Sequence, residues 1–278
     1  MSAVLLVAHG SRDPRAAATT VALARAVSRA RPGVDVRVAY LDHAVPTVGA
    51  ALAGLATDGY PSVVVVPLLL TEAYHGRVDL PALLADAPLV VHRAPVLGSD
   101  PALVRALRRR LAPGYDALVL AAAGTRDAGA RAGIAAVAEA LGRAEGVPCR
   151  AAYASAAGPT PGEAVAELRA AGAGRVAVAS YFLAPGLLYD RATGSARDAG
   201  AVSVAAPLNA APELVALVTA RAGVARAAAV SSIMASAGPE GAAAPVPAQR
   251  NPPVSGGFLT GCAVFRRSER GPAARHGA

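Results

Sequence analysis

The stretch LLVAHGSRDP (residues 5–14) returns, altered, as LVLAAAGTRDA (residues 118–128). Each copy is an apolar, strand-like run that ends in A-x-G-[ST]-R-D. The variable position is His9 in the first copy and Ala123 in the second. The repeat extends outward. AYLDHAVPT (39–47) matches AYASAAGPT (152–160), and VVVPLLL (64–70) matches VAVASYFL (176–183). RAPVLGSDPALV (93–104) resembles AAPLNAAPELV (205–215). Four landmarks in one order imply two homologous units, 1–113 and 114–222, each of a size that can fold alone.

Within each unit, strands and helices alternate. Apolar, β-branched runs predict strands at 4–7, 34–39, 63–70 and 89–91. Ala/Leu/Arg stretches with helical spacing predict helices at 15–29, 48–56, 80–85 and 101–111. Ser99-Asp100-Pro101 is a helix-start signal. The second unit repeats this with strands at 117–122, 150–153, 176–182 and 202–205. Its helices are expected at 131–141, 162–171, 189–196 and 212–220. Strands that read apolar throughout, joined by helices, indicate an α/β fold with parallel sheets covered on both faces, of the doubly wound kind. After residue 223 the chain turns to Ala, Pro, Gly and Ser, as in ASAGPEGAAAPVPAQRNPPVSGG. Such a segment buries too little apolar surface to offset its chain entropy, so 223–278 reads as a disordered tail.

Composition narrows the function. The 278 residues are 54% hydrophobic, ample for a core. No run reaches the roughly 18 apolar residues of a membrane helix. MSAVLLVAHG lacks the basic flank and the long apolar region of a signal peptide and reads as a first strand. The 27 basic residues are all arginine, with 21 against 17 acids in 1–222 and 6 against 2 in 223–278. The folded part is therefore only mildly basic, and 4% aromatics with no Trp supply few stacking platforms for nucleic acid. The two cysteines, Cys149 and Cys262, form no C-x-x-C, which removes thiolate zinc sites and thioredoxin-like pairs. Cys149 reads as a small hydrophobe.

In an open parallel sheet, ligands bind beyond the C-terminal ends of the strands. Those loops hold His9-Gly10-Ser11-Arg12-Asp13, Tyr40-Leu41-Asp42-His43 and TEAYHGRVD (71–79). Three of the five histidines, His9, His43 and His75, lie in them. Two histidines from neighbouring strand ends with a carboxylate suit a divalent first-row transition metal. There is no G-x-S-x-G elbow, no G-x-G-x-x-G after the first strand and no P-loop lysine. Metal chemistry or simple binding remains.

LLVAHGSRDP, AYLDHAVPTV (39–48) and PLLLTEAYHGRVDLP (67–81) together resemble the sirohydrochlorin chelatase family. These are the cobalto- and ferrochelatases of class II, which insert metal during cobalamin or sirohaem synthesis. The resemblance covers about residues 2–220. It implies two tandem chelatase-like units with a cleft between them that holds the tetrapyrrole. It also implies a lyase-class enzyme whose substrates are sirohydrochlorin and Fe2+ or Co2+, with no cofactor permanently bound. His9 and His75 match the family histidines that bind the incoming metal and take part in proton removal. Asp42 stands where the family commonly carries an assisting glutamate, with Glu72 a lesser carboxylate. His9, His75 and Asp42 are thus the expected metal and catalytic residues. The substrate bears eight carboxylates, which assigns Arg77, and after it Arg93, to substrate binding.

In the second unit Ala123, Ser155 and Leu188 replace His9, Asp42 and His75. The retained Arg126-Asp127 points to a structural job for that pair, and so for Arg12-Asp13. The expectation is a cytoplasmic monomer, made self-sufficient by internal duplication, with neither nucleic acid nor membrane as partner. The rival is a non-catalytic tetrapyrrole or metal carrier of the same fold.

Overall fold

The computed structural model describes residues 2–71 and 80–236, with 229–236 as backbone alone. The first half runs β1 (Ser2–Ala8), α1 (Pro14–Ala30), β2 (Val34–Tyr40), α2 (Val48–Thr57), β3 (Ser62–Leu68), α3 (Leu80–Ala85), β4 (Val90–Arg93) and α4 (Pro101–Arg108). The second repeats it as β5 (Ala117–Ala122), α5 (Ala128–Glu145), β6 (Cys149–Tyr153), α6 (Pro161–Ala170), β7 (Val176–Tyr181), α7 (Leu187–Asp198), β8 (Ser203–Val204) and α8 (Pro212–Ser236). Each half builds a four-stranded sheet, ordered β2-β1-β3-β4 and β6-β5-β7-β8. Every pairing is parallel. The α/β reading with two parallel-sheet units is therefore what the chain adopts.

The sequence explains the layers. Along β1, residues 3–7 are all buried, because helices cover both faces of the sheet. Alternate residues serve different cores. Leu5 and Val7 face an outer core with α2, while Val4 and Leu6 join a central core. That central core takes residues from both sheets and from α1, α4, α5 and α8. Side-chain caps start the helices. Asp13 caps α1, Asp127 caps α5, Thr47 caps α2 and Thr160 caps α6.

The sequence halves are not the packing halves. Helix α8 follows the second sheet, yet it packs on α1, β3, β4 and α4 of the first half. Helix α4 follows the first sheet and packs on α5 and β7 of the second. Asp100 caps α4 and pairs with Arg221 of α8 at 3.2 Å, and Arg109 pairs with Glu213 at 3.0 Å. The expected boundary at 223 moves with this helix. AGVARAAAV is rich in the best helix former, so α8 continues to Ser236, and Ala225 is buried in the central core. Residues 237–278 lie outside the described residues, as does the rest of the expected tail. Cys149 behaves as the small hydrophobe expected of it: burial pushes its thiol up to about 12.

The strand order sets where a ligand can sit. From β1 the chain moves to β2 on one side and returns to β3 on the other. The C-terminal end of β1 is therefore a topological switch point, and His9 is the first residue beyond it. No helix of the described residues is long and apolar enough to cross a membrane.

Candidate functional site

The loop after β1 is held by backbone contacts that leave little freedom. Leu41 N–H donates to Ala8 O at 3.0 Å and Asp42 N–H to His9 O at 2.9 Å. Between them Gly10 turns at φ +95°, and a Cβ there would stand 1.7 Å from the Asp42 carbonyl oxygen. Only glycine lets the two loops close like this. Asp13 N–H donates to Ser11 Oγ at 3.0 Å, and the Asp13 carboxylate accepts from Arg15 N–H at 2.9 Å to cap α1. The Asp13 half of the expected structural pair is thus accounted for. Arg12 is different: its side chain is exposed and makes no hydrogen bond or ion pair among the described residues.

Two cavities open at this point, of about 770 Å3 and about 810 Å3. The first lies between the β1–α1 loop and residues 182–190 of the second half, and Arg12 and His43 line it. The second lies between residues 68–71 and the β5–α5 loop, and Arg126 lines it. His9 lines both, so it stands at their seam. Phe182, Leu183 and Leu188 form a shared apolar wall facing it.

The sequence expectations fare unevenly. His9 sits in the cleft, exposed. Asp42 lines neither cavity; it is turned to its neighbour. Its Oδ1 accepts from His43 N–H at 2.7 Å and lies 3.2 Å from His43 Nδ1. Arg93 ends β4, an edge strand, and lines neither cavity. His75, Arg77 and Glu72 lie outside the described residues. Among the described residues no group of three or more His, Cys, Asp or Glu could hold a metal ion.

Sequence reasoning missed three residues. His43 faces His9 with ring centroids 6.4 Å apart and planes at 75°. The comparison of halves that singled out His9 carried the signal for His43 as well, since its counterpart is Ala156. Arg12 and Arg126 are retained in both halves, and retention was read as structural. Each lines one cavity.

The second half repeats the backbone. Gly124 turns at φ +96°, with the Ser155 carbonyl oxygen 1.9 Å from where a Cβ would be. Asp127 N–H donates to Thr125 Oγ1 at 3.1 Å, as Asp13 does to Ser11. Ser155 Oγ–H donates to Ala123 O at 2.8 Å. Two contacts tie the halves around the cleft. Tyr181 O–H donates to Gly98 O at 2.7 Å, and burial pushes its phenol well above the usual range. Arg15 of α1 pairs with both Asp13 and Asp190 of α7 at the first cavity. The hydrogen bond to Asp13, then that to Asp190, raises the Arg15 pKa further, and Arg15 in turn holds the Asp13 carboxyl below its ordinary value.

Comparison with known proteins fits this duplicated architecture. A family model described as CbiX matches twice, over residues 3–113 and 117–225. A curated relative from Methanopyrus kandleri, named sirohydrochlorin cobaltochelatase, is 34% identical over 88 residues, 32% of this chain and 62% of that protein. Another from Priestia megaterium, named sirohydrochlorin ferrochelatase, is 36% identical over 84 residues, 29% of this chain and 30% of that protein. The alignments thus span less than two thirds of these relatives' own length. Among solved structures, SirB from Bacillus subtilis with Fe3+ superposes with a TM-score of 0.70 at 24% identity, covering 83% of this chain and 98% of that one. That likeness shows a shared fold.

Proposed function

The chain belongs to the CbiX family, and from that premise we propose that it is a lyase-class chelatase inserting a divalent metal, Fe2+ or Co2+, into sirohydrochlorin. The observation that carries this reading is His9 at the seam of two cavities, opposite an apolar wall. Cavities of this size are in the range of small-molecule sites. A flat macrocycle laid along the Phe182, Leu183 and Leu188 wall presents its centre to His9. Imidazole is a ligand that iron and cobalt both accept. His9 and, by family resemblance, His75 hold the metal while two pyrrole N–H bonds break, four metal–nitrogen bonds form and two protons leave. Metal is a substrate here, and no resident cofactor is invoked.

The carboxylates of the macrocycle need cations. Arg12 lines the first cavity and Arg126 the second, which supports them as carboxylate partners in a bidentate fork. Arg77 keeps the substrate role that the resemblance gives it. Arg93 is set aside, because it lines neither cavity. Asp42 acts through His43 and not as a direct ligand. Both walls of the cleft come from one chain, which supports a monomer; it works in the cytoplasm, without nucleic acid or membrane as partner.

The test is the absorbance change on metallation, run with Fe2+ and Co2+ in parallel. His9→Ala and His75→Ala are each expected to lower insertion by about 100-fold or more, as loss of a positioned acid–base or ligand group does. Near-native insertion in both variants removes the site. Tight binding of sirohydrochlorin by the native chain with no rate enhancement moves the protein to the carrier reading.

A further inference from the structure

We propose that His43 and His9 together form a docking position for the divalent metal, which receives the ion before insertion; this rests on the chelatase reading for its purpose but not for its test. The rings stand 6.4 Å apart, centroid to centroid, at 75°. Metal–imidazole bonds of about 2.1 Å place two rings that share one ion with centroids roughly 5 to 6.5 Å apart. At 6.4 Å the pair lies at the upper end of that range, the span of a near-linear nitrogen–metal–nitrogen arrangement. Both rings line the same cavity. His43 lines that cavity alone, whereas His9 also lines the second. His9 can thus keep one bond to the ion while it moves from the outer position towards the seam.

Asp42 explains how His43 is presented. Its Oδ1, fixed by the His43 N–H at 2.7 Å, lies 3.2 Å from Nδ1. With the carboxylate beside Nδ1, the other ring nitrogen, Nε2, is left as the ligand atom. The loop itself has no need of an imidazole. His43 turns at φ 60°, and the matching residue of the second half, Ala156, turns at φ 64° with a methyl side chain. Nor is the ring a packing element, since its side chain is 39% exposed. A two-imidazole position leaves the other coordination sites to water. That suits an ion in transit, and it agrees with the absence of a three-ligand group among the described residues.

The test uses the full chain and Co2+ alone, with no tetrapyrrole, followed by visible absorption and calorimetry. His75→Ala provides the background, so that only the proposed pair can bind. This variant is expected to retain Co2+ binding. Adding His43→Ala should weaken it at least tenfold. His43→Asn should weaken it as much, although Asn favours the same left-handed backbone. In the otherwise native chain, His43→Ala should raise KM for the metal about tenfold and leave KM for sirohydrochlorin unchanged. Equal Co2+ affinity with and without His43, or full rescue by Asn, overturns the docking position. The two readings fail separately: Co2+ held through His43 with no insertion refutes the chelatase, and insertion with His43 immaterial to Co2+ refutes only the docking position.

Discussion

Gly10 and Gly124 turn at φ +95° and +96°, and in each loop a carbonyl oxygen of the strand-two loop fills the space of the missing Cβ. Ser11 and Thr125 accept from the aspartate N–H two residues on, at 3.0 and 3.1 Å, and Asp13 and Asp127 cap the next helix. The backbone is one design used twice. Side chains of these loops divide into two kinds. His9, Asp42 and His43 become Ala123, Ser155 and Ala156, so only one wall can carry imidazole. Arg12 and Arg126 stay, although neither side chain braces anything among the described residues. A residue retained without a structural partner points to a ligand with the same chemistry on both flanks. A residue lost from one copy points to a ligand centre that is approached from one side.

The sharpest way to break this comparison is to separate the halves. In the whole chain α8 packs on α1, β3 and β4, and α4 packs on α5 and β7. A fragment of residues 1–113 lacks α8 and leaves the inner face of β3, with Val64 and Val66, uncovered. Two fragments can satisfy each other by exchanging α4 as the native chain exchanges α4 and α8. Light scattering or sedimentation should therefore find a dimer and no folded monomer. A stable monomer of 1–113 would show that the exchanged helices are dispensable and that the halves are independent after all.

The loops can also be broken one at a time. Gly10→Ala and Gly124→Ala each force a Cβ into a backbone carbonyl at positive φ. Each should cost about 2 kcal/mol or more, or about 4–8 °C in Tm. Matched losses sharpen the equivalence of the loops. A neutral Gly124→Ala beside a damaging Gly10→Ala would contradict it.

Much of this was legible because the strands are buried on both faces. Residues 4–7 and 117–122 carry no polar residue to confuse the pattern, and Ser99-Asp100-Pro101 marks a helix start by local chemistry alone. The helix exchange was not legible, because the apolar residues of α4 and α8 do not say which sheet they cover. The reach of α8 past residue 223 was hidden by composition: alanine-rich sequence serves a helix as well as a tail. At the site, position in the repeat found His9 but not the direction of Asp42. A carboxylate beside a histidine in sequence can face the ligand or the histidine, and only the fold of the loop decides. Arg93 lies apart from both cavities for a related reason: its strand is at the sheet edge, away from the switch point.

A gentler probe addresses the two arginines. Arg12→Ala and Arg126→Ala should each raise KM for sirohydrochlorin about three- to tenfold, since exposed charge-assisted contacts are worth about 1 kcal/mol. Neither should change kcat, and the double variant should multiply the two factors, because each guanidinium serves a different cavity. Added salt should weaken the native chain towards the variants. If Arg12→Ala acts and Arg126→Ala does not, the second cavity does not hold substrate carboxylates and the shared arginine loses its explanation.

The smallest effect concerns a contact that only one loop possesses. Arg15 joins Asp13 in its own loop to Asp190 of α7, while the equivalent position in the second half is Gly129. The side chains of Arg15 and Asp190 are 52% and 47% exposed, so solvent screens the pair and Asp190→Asn should lower Tm by no more than about 2 °C. Asp13 adds a pH signature with a definite sign. Its hydrogen bonds from Arg15 depress its folded pKa, so its contribution is present above the ordinary aspartate value of about 3.9 and fades as pH falls towards the depressed one. Comparing Tm at pH 6 and pH 3, the native chain should lose slightly more on acidification than Arg15→Ala, whose Asp13 has lost the charged partner. Equal losses would mean that the pair contributes nothing to the folded state, and that the first cavity is held together by the apolar wall and Tyr181 alone.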